Sequence, residues 1–202
     1  MALVLAACGG GGDGDDAAET SMPAETVAVA AAEVAAPTTV ATTTTTVAPP
    51  LTADDTLTTG GLGEVRIGMT IGEAEVASGR LLDSPPGADD QECFVATPRN
   101  LPGVEFVVAE GRIRVVDVTT SAVTTRSGAA VGMAADDIRA LFGERIDETP
   151  IEGAAALTFV PADEADQDKR VVFFTDGTSV TRMMSGTLPH VLRVDPCLAA
   201  GG

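Results

Sequence analysis

The chain contains no tryptophan and no tyrosine. The side chains that most often anchor protein interfaces and stack on sugar rings are therefore absent. A single histidine, His190, excludes a two-histidine metal site. No Gly-x-Ser-x-Gly elbow accompanies it, so the usual sequence sign of a serine hydrolase is missing. Lys169 is the only lysine, and the net charge is −18. Phosphate binding relies on clustered Lys and Arg, so nucleic acid is excluded as a partner, as is electrostatic attachment to an anionic membrane surface. No run approaches the roughly 20 apolar residues of a spanning helix.

What is present is unevenly distributed. Residues 1–60 hold eight acids and no Lys or Arg, while the remainder carries 22 acids against 12 bases. All six phenylalanines (Phe94, Phe106, Phe142, Phe159, Phe173 and Phe174) lie after residue 93. The capacity to build a core therefore sits in the C-terminal two-thirds of this 202-residue chain.

Residues 1–8 read Met-Ala-Leu-Val-Leu-Ala-Ala-Cys. Leu5-Ala6-Ala7-Cys8 resembles a bacterial lipobox, where small residues fit a signal peptidase before a cysteine that receives lipid. Cys8 is thus the expected lipidation site. Only seven residues precede it, without a basic n-region, whereas a hydrophobic region alone takes about 7–15. A start codon upstream of Met1 and a chance match are the two explanations. Residues 9–59 read as a linker: Gly-rich at 9–14, Ala/Val-rich at 24–36, then Thr/Pro-rich at 38–50. With no aromatic residue to bury, ordering such a segment would not recover its entropy cost. About 50 flexible residues span on the order of 40 Å, enough to hold a domain off a membrane. A bare spacer and an O-glycosylated one fit the composition equally.

From residue 60 to 198 the chain states one motif twice, in a first copy at about 60–125 and a second at about 126–198. Gly68-Met69-Thr70-Ile71-Gly72-Glu73 reappears 64 residues later as Gly132-Met133-Ala134-Ala135-Asp136-Asp137, and Gly79 as Gly143. The turn glycines Gly111 and Gly177 repeat at an offset of 66. Thr70 and Glu73 form a capping-box sequence, and Gly79 suits the left-handed residue that ends a helix. In the second copy Ala134 occupies the cap position and has no hydroxyl to offer. Ile138, Leu141 and Phe142 make an apolar stripe there.

Alternation predicts strands at Val65–Ile67, Cys93–Thr97, Val104–Ala109 and Arg112–Val118, then Ala156–Val160, Val171–Thr175, Ser179–Met184 and Leu188–Val194. On the third of these long runs Ile113, Val115 and Asp117 are expected on one face, with Arg114, Val116 and Val118 on the other. Asp176-Gly177 between such runs is a hairpin signal. The expected fold class is α+β: two tandem helix-plus-hairpin units forming one antiparallel sheet with both helices on one face.

These features resemble a known group. Val65-Arg66-Ile67-Gly68-Met69-Thr70 with Glu73, the second Gly132-Met133 and the two turn glycines, behind a lipobox-like cysteine, look like tandem-repeat lipoproteins. Those are the relatives of beta-lactamase inhibitory protein and the small outer-membrane assembly lipoproteins. The resemblance implies a non-enzymatic envelope domain that presents a sheet surface to another protein. The inhibitor branch uses an aromatic-rich concave sheet, which a chain without Tyr or Trp does not reproduce, so no inhibitory residues are carried over. The preference for Arg over Lys, with abundant Ala, Val, Thr and Gly, points to a GC-rich, actinobacterial-type genome.

Candidate chemistry is sparse. With Cys8 lipidated, Cys93 and Cys197 remain as an even pair in an oxidising compartment. A disulfide is expected; two buried thiols are the alternative. His190 reads as an outward-pointing strand residue. Asp163, Glu164, Asp166 and Asp168 offer oxygen ligands at alternating positions, but lack the Gly and distal Glu of a calcium loop and run into Lys169-Arg170, so they read as a solvated hairpin loop. No cofactor is expected. The first functional expectation is a non-catalytic lipoprotein, anchored through Cys8 on the extracytoplasmic face of the cell membrane and binding another envelope protein. The alternative is an inhibitor of a secreted hydrolase, and after it a small enzyme.

Overall fold

The computed structural model describes residues 49–151 and 154–197. Cys8 lies outside the described residues, as does the expected linker as far as residue 48. The rest of that expected linker is corrected by the structure: residues 49–59 belong to the fold. Leu51 and Leu57 are almost fully buried, and Thr56–Thr58 forms a strand, β1. Two leucines spaced among threonines gave little sequence signal, yet each fills a place in the core.

β1 pairs with Gly61–Leu62 (β2), and β2 with Val65–Arg66 (β3). The first helix, α1, covers Ile71–Ser78. It begins with the full capping box, in which the Thr70 hydroxyl accepts from the Glu73 amide and the Glu73 carboxylate accepts from the Thr70 amide at 2.8 Å. Then come β4 (Leu82–Asp83), β5 (Cys93–Pro98), β6 (Val104–Ala109), β7 (Arg112–Val118) and β8 (Thr124–Thr125). Helix α2 spans Ala135–Phe142 and has no side-chain cap, Ala134 being at its N-cap. It is followed by β9 (Ile146–Ile151), β10 (Ala154–Phe159), β11 (Lys169–Thr175) and β12 (Val180–Thr187).

The sheet order shows how the duplication is built. Eight antiparallel strands run β4-β5-β6-β7-β12-β11-β10-β9, so each copy contributes four and the copies meet last strand to last strand. At that seam Met184 pairs with Asp117, flanked by Met183 with Val118 and Ser185 with Val116. This is the register of a two-fold axis. It relates Val116 to Met183 and Val118 to Ser185, each 67 residues on. The Gly-Met motif has the same task in both copies. The Gly68 amide donates to the Ile113 carbonyl and the Ile113 amide to the Met69 carbonyl, while Gly132, Met133 and Val180 repeat the exchange. Gly68 and Gly132 have φ of 94° and 91°, a conformation open to glycine, which is why the motif keeps glycine in both copies.

One face assignment changes. Between Val107 and Val108 the register to β7 shifts, because Val107 opposes Val115 while Val108 opposes Ile113. Arg114 is the extra residue of a β-bulge. Its turn of the strand puts Ile113 on the same side as Val116 and Val118, not with Val115. β12 carries the equivalent bulge at Thr181.

The helix side of the sheet holds the larger core. Ile138 and Ala74 pack there with Phe106, Ile113, Leu157, Phe173 and Met183. The small sheet, in order β3-β2-β1-β8 with β1 and β8 parallel, contributes Leu57, Leu62 and Val65 to the same core. Leu141, expected in the α2 stripe, is exposed instead, and Phe142 covers the adjacent surface. The opposite face carries Val107, Val115, Val172, Phe174 and Met184.

The expected final strand Leu188–Val194 does not form. Pro189 follows a cis peptide bond and cannot donate to a ladder, and His190–Leu192 is a 3-10 turn whose Val191 is fully buried against the opposite face. The segment 188–197 is thus a strap across the sheet. A disulfide between Cys93 and Cys197 pins its end to β5.

Candidate binding cleft

Between the small sheet and the second copy lies an open cleft of about 450 Å³. Its floor is aromatic. Phe142 at the end of α2 lies 5.1 Å from Phe159 and 5.4 Å from Phe173, centroid to centroid. Phe173 is fully buried in the core, while Phe142 and Phe159 are partly buried at the cleft. Thr58, Thr59, Thr125 and Ser127 line the walls.

Two arginines, Arg66 from β3 and Arg126 just after β8, stand at its mouth, both exposed. Neither is paired with an acid among the described residues. Four other arginines are held by acids: Arg99 by Asp83, Arg114 by Glu110, Arg139 by Asp136 and Glu148, and Arg182 by Asp117. In a chain with an excess of 18 negative charges, two unpaired cations beside one apolar cleft are a local reversal of the overall field. The acid that lines the cleft, Asp166, is already engaged. It accepts from the Lys169 ammonium and the Thr59 hydroxyl, and these bonds, Lys169 first, hold its carboxyl below the ordinary aspartate value.

The aromatic floor belongs to the second copy alone. By strand register Phe173 corresponds to Phe106, and Phe159 to Pro98. At the helix offset of 64, Phe142 corresponds to Ser78. In the first copy the Ser78 carbonyl accepts from the Leu51 amide, so the N-terminal segment fills the matching place. The signal available in the sequence was this pair of unmatched phenylalanines within an otherwise matched repeat.

The second polar feature is at the seam. Asp117, 6% exposed in its side chain, receives both Nε and Nη2 of Arg182. Arg182 also donates to the Val194 carbonyl at 2.7 Å and lies 5.7 Å over the Phe174 ring. Its pKa is held above the usual arginine value by the Asp117 hydrogen bonds. This arrangement fastens the strap to the sheet centre. Sequence reasoning placed Asp117 on a strand face but gave it no partner, since Arg182 is 65 residues away.

No family model matches the chain, and no curated protein matches it. Two solved structures resemble it distantly. An extracellular protein containing a SCP domain from Bacillus anthracis str. Ames aligns with a TM-score of 0.41 and 15% identity, over 63% of this chain. The alignment takes in 46% of that protein, so the chain spans about half its length. The uncharacterized protein yfeY from Escherichia coli aligns with a TM-score of 0.40 and 13% identity, over 68% of this chain and 99% of its own. No family is assigned by either.

The remaining candidate residues are placed as follows. Cys93 and Cys197 form the disulfide, which belongs to an oxidising compartment and puts the domain outside the cytoplasm. His190 sits half-buried on the strap, and its Nδ1 has no hydrogen-bond partner. In the acidic run Asp163 accepts from the Ala165 amide and Asp166 faces the cleft. Among the described residues no three His, Cys, Asp or Glu side chains converge on a common point.

Proposed function

We propose that the chain is a lipid-anchored, extracytoplasmic binding protein of the cell envelope, held to the membrane through Cys8 and engaging another envelope protein without catalysing a reaction. The observation that carries the binding reading is the cleft with its phenylalanine floor and two unpaired arginines. Its lining offers apolar surface, cations and hydroxyls, and neither a histidine nor a cysteine to serve as base or nucleophile. The open sheet face expected from the sequence is a weaker candidate, because the 188–197 strap and the Asp117–Arg182 pair occupy its centre.

The anchoring reading rests on Leu5-Ala6-Ala7-Cys8 together with the disulfide, which supports export. Intact-mass spectrometry of the protein expressed from its native upstream region tests it. A diacyl mass on Cys8 with Cys93 and Cys197 oxidised is expected, and an uncleaved N-terminus with three free thiols would remove the anchor and the address together. Photo-crosslinking from Arg126 in intact cells tests the binding reading. An envelope protein without hydrolase activity is the expected adduct, and a secreted hydrolase inhibited on binding would replace this reading with that of an inhibitor.

A further inference from the structure

We infer that the cleft captures a short acidic segment of a partner protein, with one large apolar side chain seated on Phe142 and Phe159 and flanking carboxylates on Arg66 and Arg126. This deepens the binding reading above and rests on it. Three observations fix the class of occupant. The floor is aromatic and only partly buried, so it keeps some apolar surface in water unless something covers it. The cations at the mouth have no acid of their own, so an incoming carboxylate meets no competing intramolecular pair. Asp166, the one acid in the lining, has its charge answered by Lys169.

The wall hydroxyls are largely satisfied within the chain: Thr58 donates to the Gly61 carbonyl, Thr59 donates to Asp166, and Thr125 accepts from the Ala129 amide. What distinguishes a peptide from a hydrocarbon chain is the open shape of the cleft: two partly buried rings can cover one side chain, whereas a longer tail would keep most of its length in water. Electrostatics act in the same direction. The chain as a whole repels acidic partners, so recognition of one demands this local reversal, and the attraction is confined to within about 10 Å of Arg66 and Arg126 at 0.1 M salt.

The test is selection of a random seven-residue phage library on the full oxidised chain, followed by fluorescence polarisation of the enriched peptides. Peptides with a Phe, Leu or Ile flanked by Asp or Glu are expected. Their binding should weaken roughly three- to tenfold in R66Q/R126Q, as expected for two exposed ion pairs, and more steeply in Phe159→Ala. Both arginines are exposed, so the double variant keeps the fold, and an unchanged thermal midpoint verifies it. Enrichment of neutral or basic sequences, or acidic peptides that bind the double variant equally well, would overturn the inference. So would an empty selection, or dodecanoate binding at the cleft with no peptide enriched, which assigns the site to an acyl chain. If crosslinks to an envelope protein persist from positions outside the cleft while the selection is empty, the cleft assignment fails and the binding reading stands.

Discussion

Replacing both Cys93 and Cys197 with serine measures how much of this fold depends on one covalent link. The double change leaves no unpaired thiol in the folded domain. The disulfide joins residues separated by 104 positions, roughly three-quarters of the duplicated domain. In the chain-entropy treatment a loop of about 105 residues costs the unfolded state roughly 16 cal/mol/K, or about 4.8 kcal/mol at 25 °C. Engineered links often deliver less than this, and native ones in small secreted domains typically contribute about 2–5 kcal/mol. For a domain of this size each kcal/mol moves the midpoint by about 2–4 °C, so the expected fall in Tm is roughly 4–20 °C. The strap should stay docked in the folded variant, because Val191 is buried against Met184 and Phe174 and the Val194 carbonyl accepts from Arg182. The assay is thermal unfolding of wild type with and without reductant beside the variant, with hydrogen exchange across 188–197. A fall below about 3 °C would refute the reasoning, since the unfolded chain would then gain nothing from losing its longest loop. Rapid exchange confined to the strap would show that the link holds the strap and not the domain.

Four further outcomes follow from the same geometry. Arg182→Met strands the Asp117 carboxylate among apolar neighbours and should cost about 3–5 kcal/mol in urea unfolding, whereas D117V/R182M should cost less than R182M alone because no charge is left unpaired. Gly186→Ala would bring a Cβ within 2.3 Å of the Arg114 carbonyl across the seam, and a loss of about 1–3 kcal/mol is expected by the same method. Ala134→Thr supplies α2 with the cap that α1 has and should raise stability by about 0.5–1 kcal/mol, read as an upward shift in Tm. The carboxyls of Glu73, Asp83, Glu148, Asp166 and Asp176 all lie below their ordinary values of 4.5 for Glu and 3.8 for Asp, each mainly through a hydrogen bond: to the Thr70 amide, Arg99, Arg139, Lys169 and the Ser179 amide respectively. A depressed folded pKa gives stability that is present above the unfolded value and lost as pH falls through the folded one. The midpoint should therefore hold between pH 7 and 5 and decline below about 4.5, and a midpoint that rises on acidification below pH 4 would mean that relief of charge repulsion outweighs these bonds.

The parts of the fold legible in the sequence are those set by local chemistry. Thr70-x-x-Glu73 specifies its own helix start, Glu110-Gly111 adopts the two positive φ values of a tight hairpin, and the Val-rich runs alternate as strands must. Duplication carried the prediction further, because two copies of one hairpin unit extend naturally into a single sheet. What failed was non-local or masked by proline. No strand is predicted at Ile146–Ile151, because Asp147, Glu148 and Pro150 break any apolar alternation; at a sheet edge, exposed acids and a proline are tolerated and block further pairing. Leu188–Val194 was misread because its alternation of apolar residues serves a strap that buries Val191 only. The bulge at Arg114 inverted the face of Ile113, and nothing within the run itself marks it. The ion pair at the seam needed two strands from different copies to be neighbours, which sequence spacing does not reveal.

The cleft shows why a symmetric scaffold can present an asymmetric site. A two-fold axis through Asp117 and Met184 places equivalent backbone at both ends of the sheet, so the two ends begin with the same hollow between helix and outer strands. The N-terminal segment is present once and breaks the equivalence. At the first copy Leu51 lies beside Ser78, and the Arg80 guanidinium donates to the Leu51 carbonyl, closing that hollow. The same segment then crosses the helix side of the sheet, where the Ser185 hydroxyl donates to the Thr58 carbonyl at 2.5 Å. By Thr58–Gly60 it has become the wall of the open hollow at the second copy. The exchange of Ser78 for Phe142 and Pro98 for Phe159 supplies apolar surface where the segment no longer covers the sheet. The residues that fill one hollow thus frame the other. Stripping the floor of the second hollow, by Phe142→Ala with Phe159→Ala, would remove its apolar surface without touching its cations. Separating those two contributions is what the arginine and phenylalanine variants do when measured side by side.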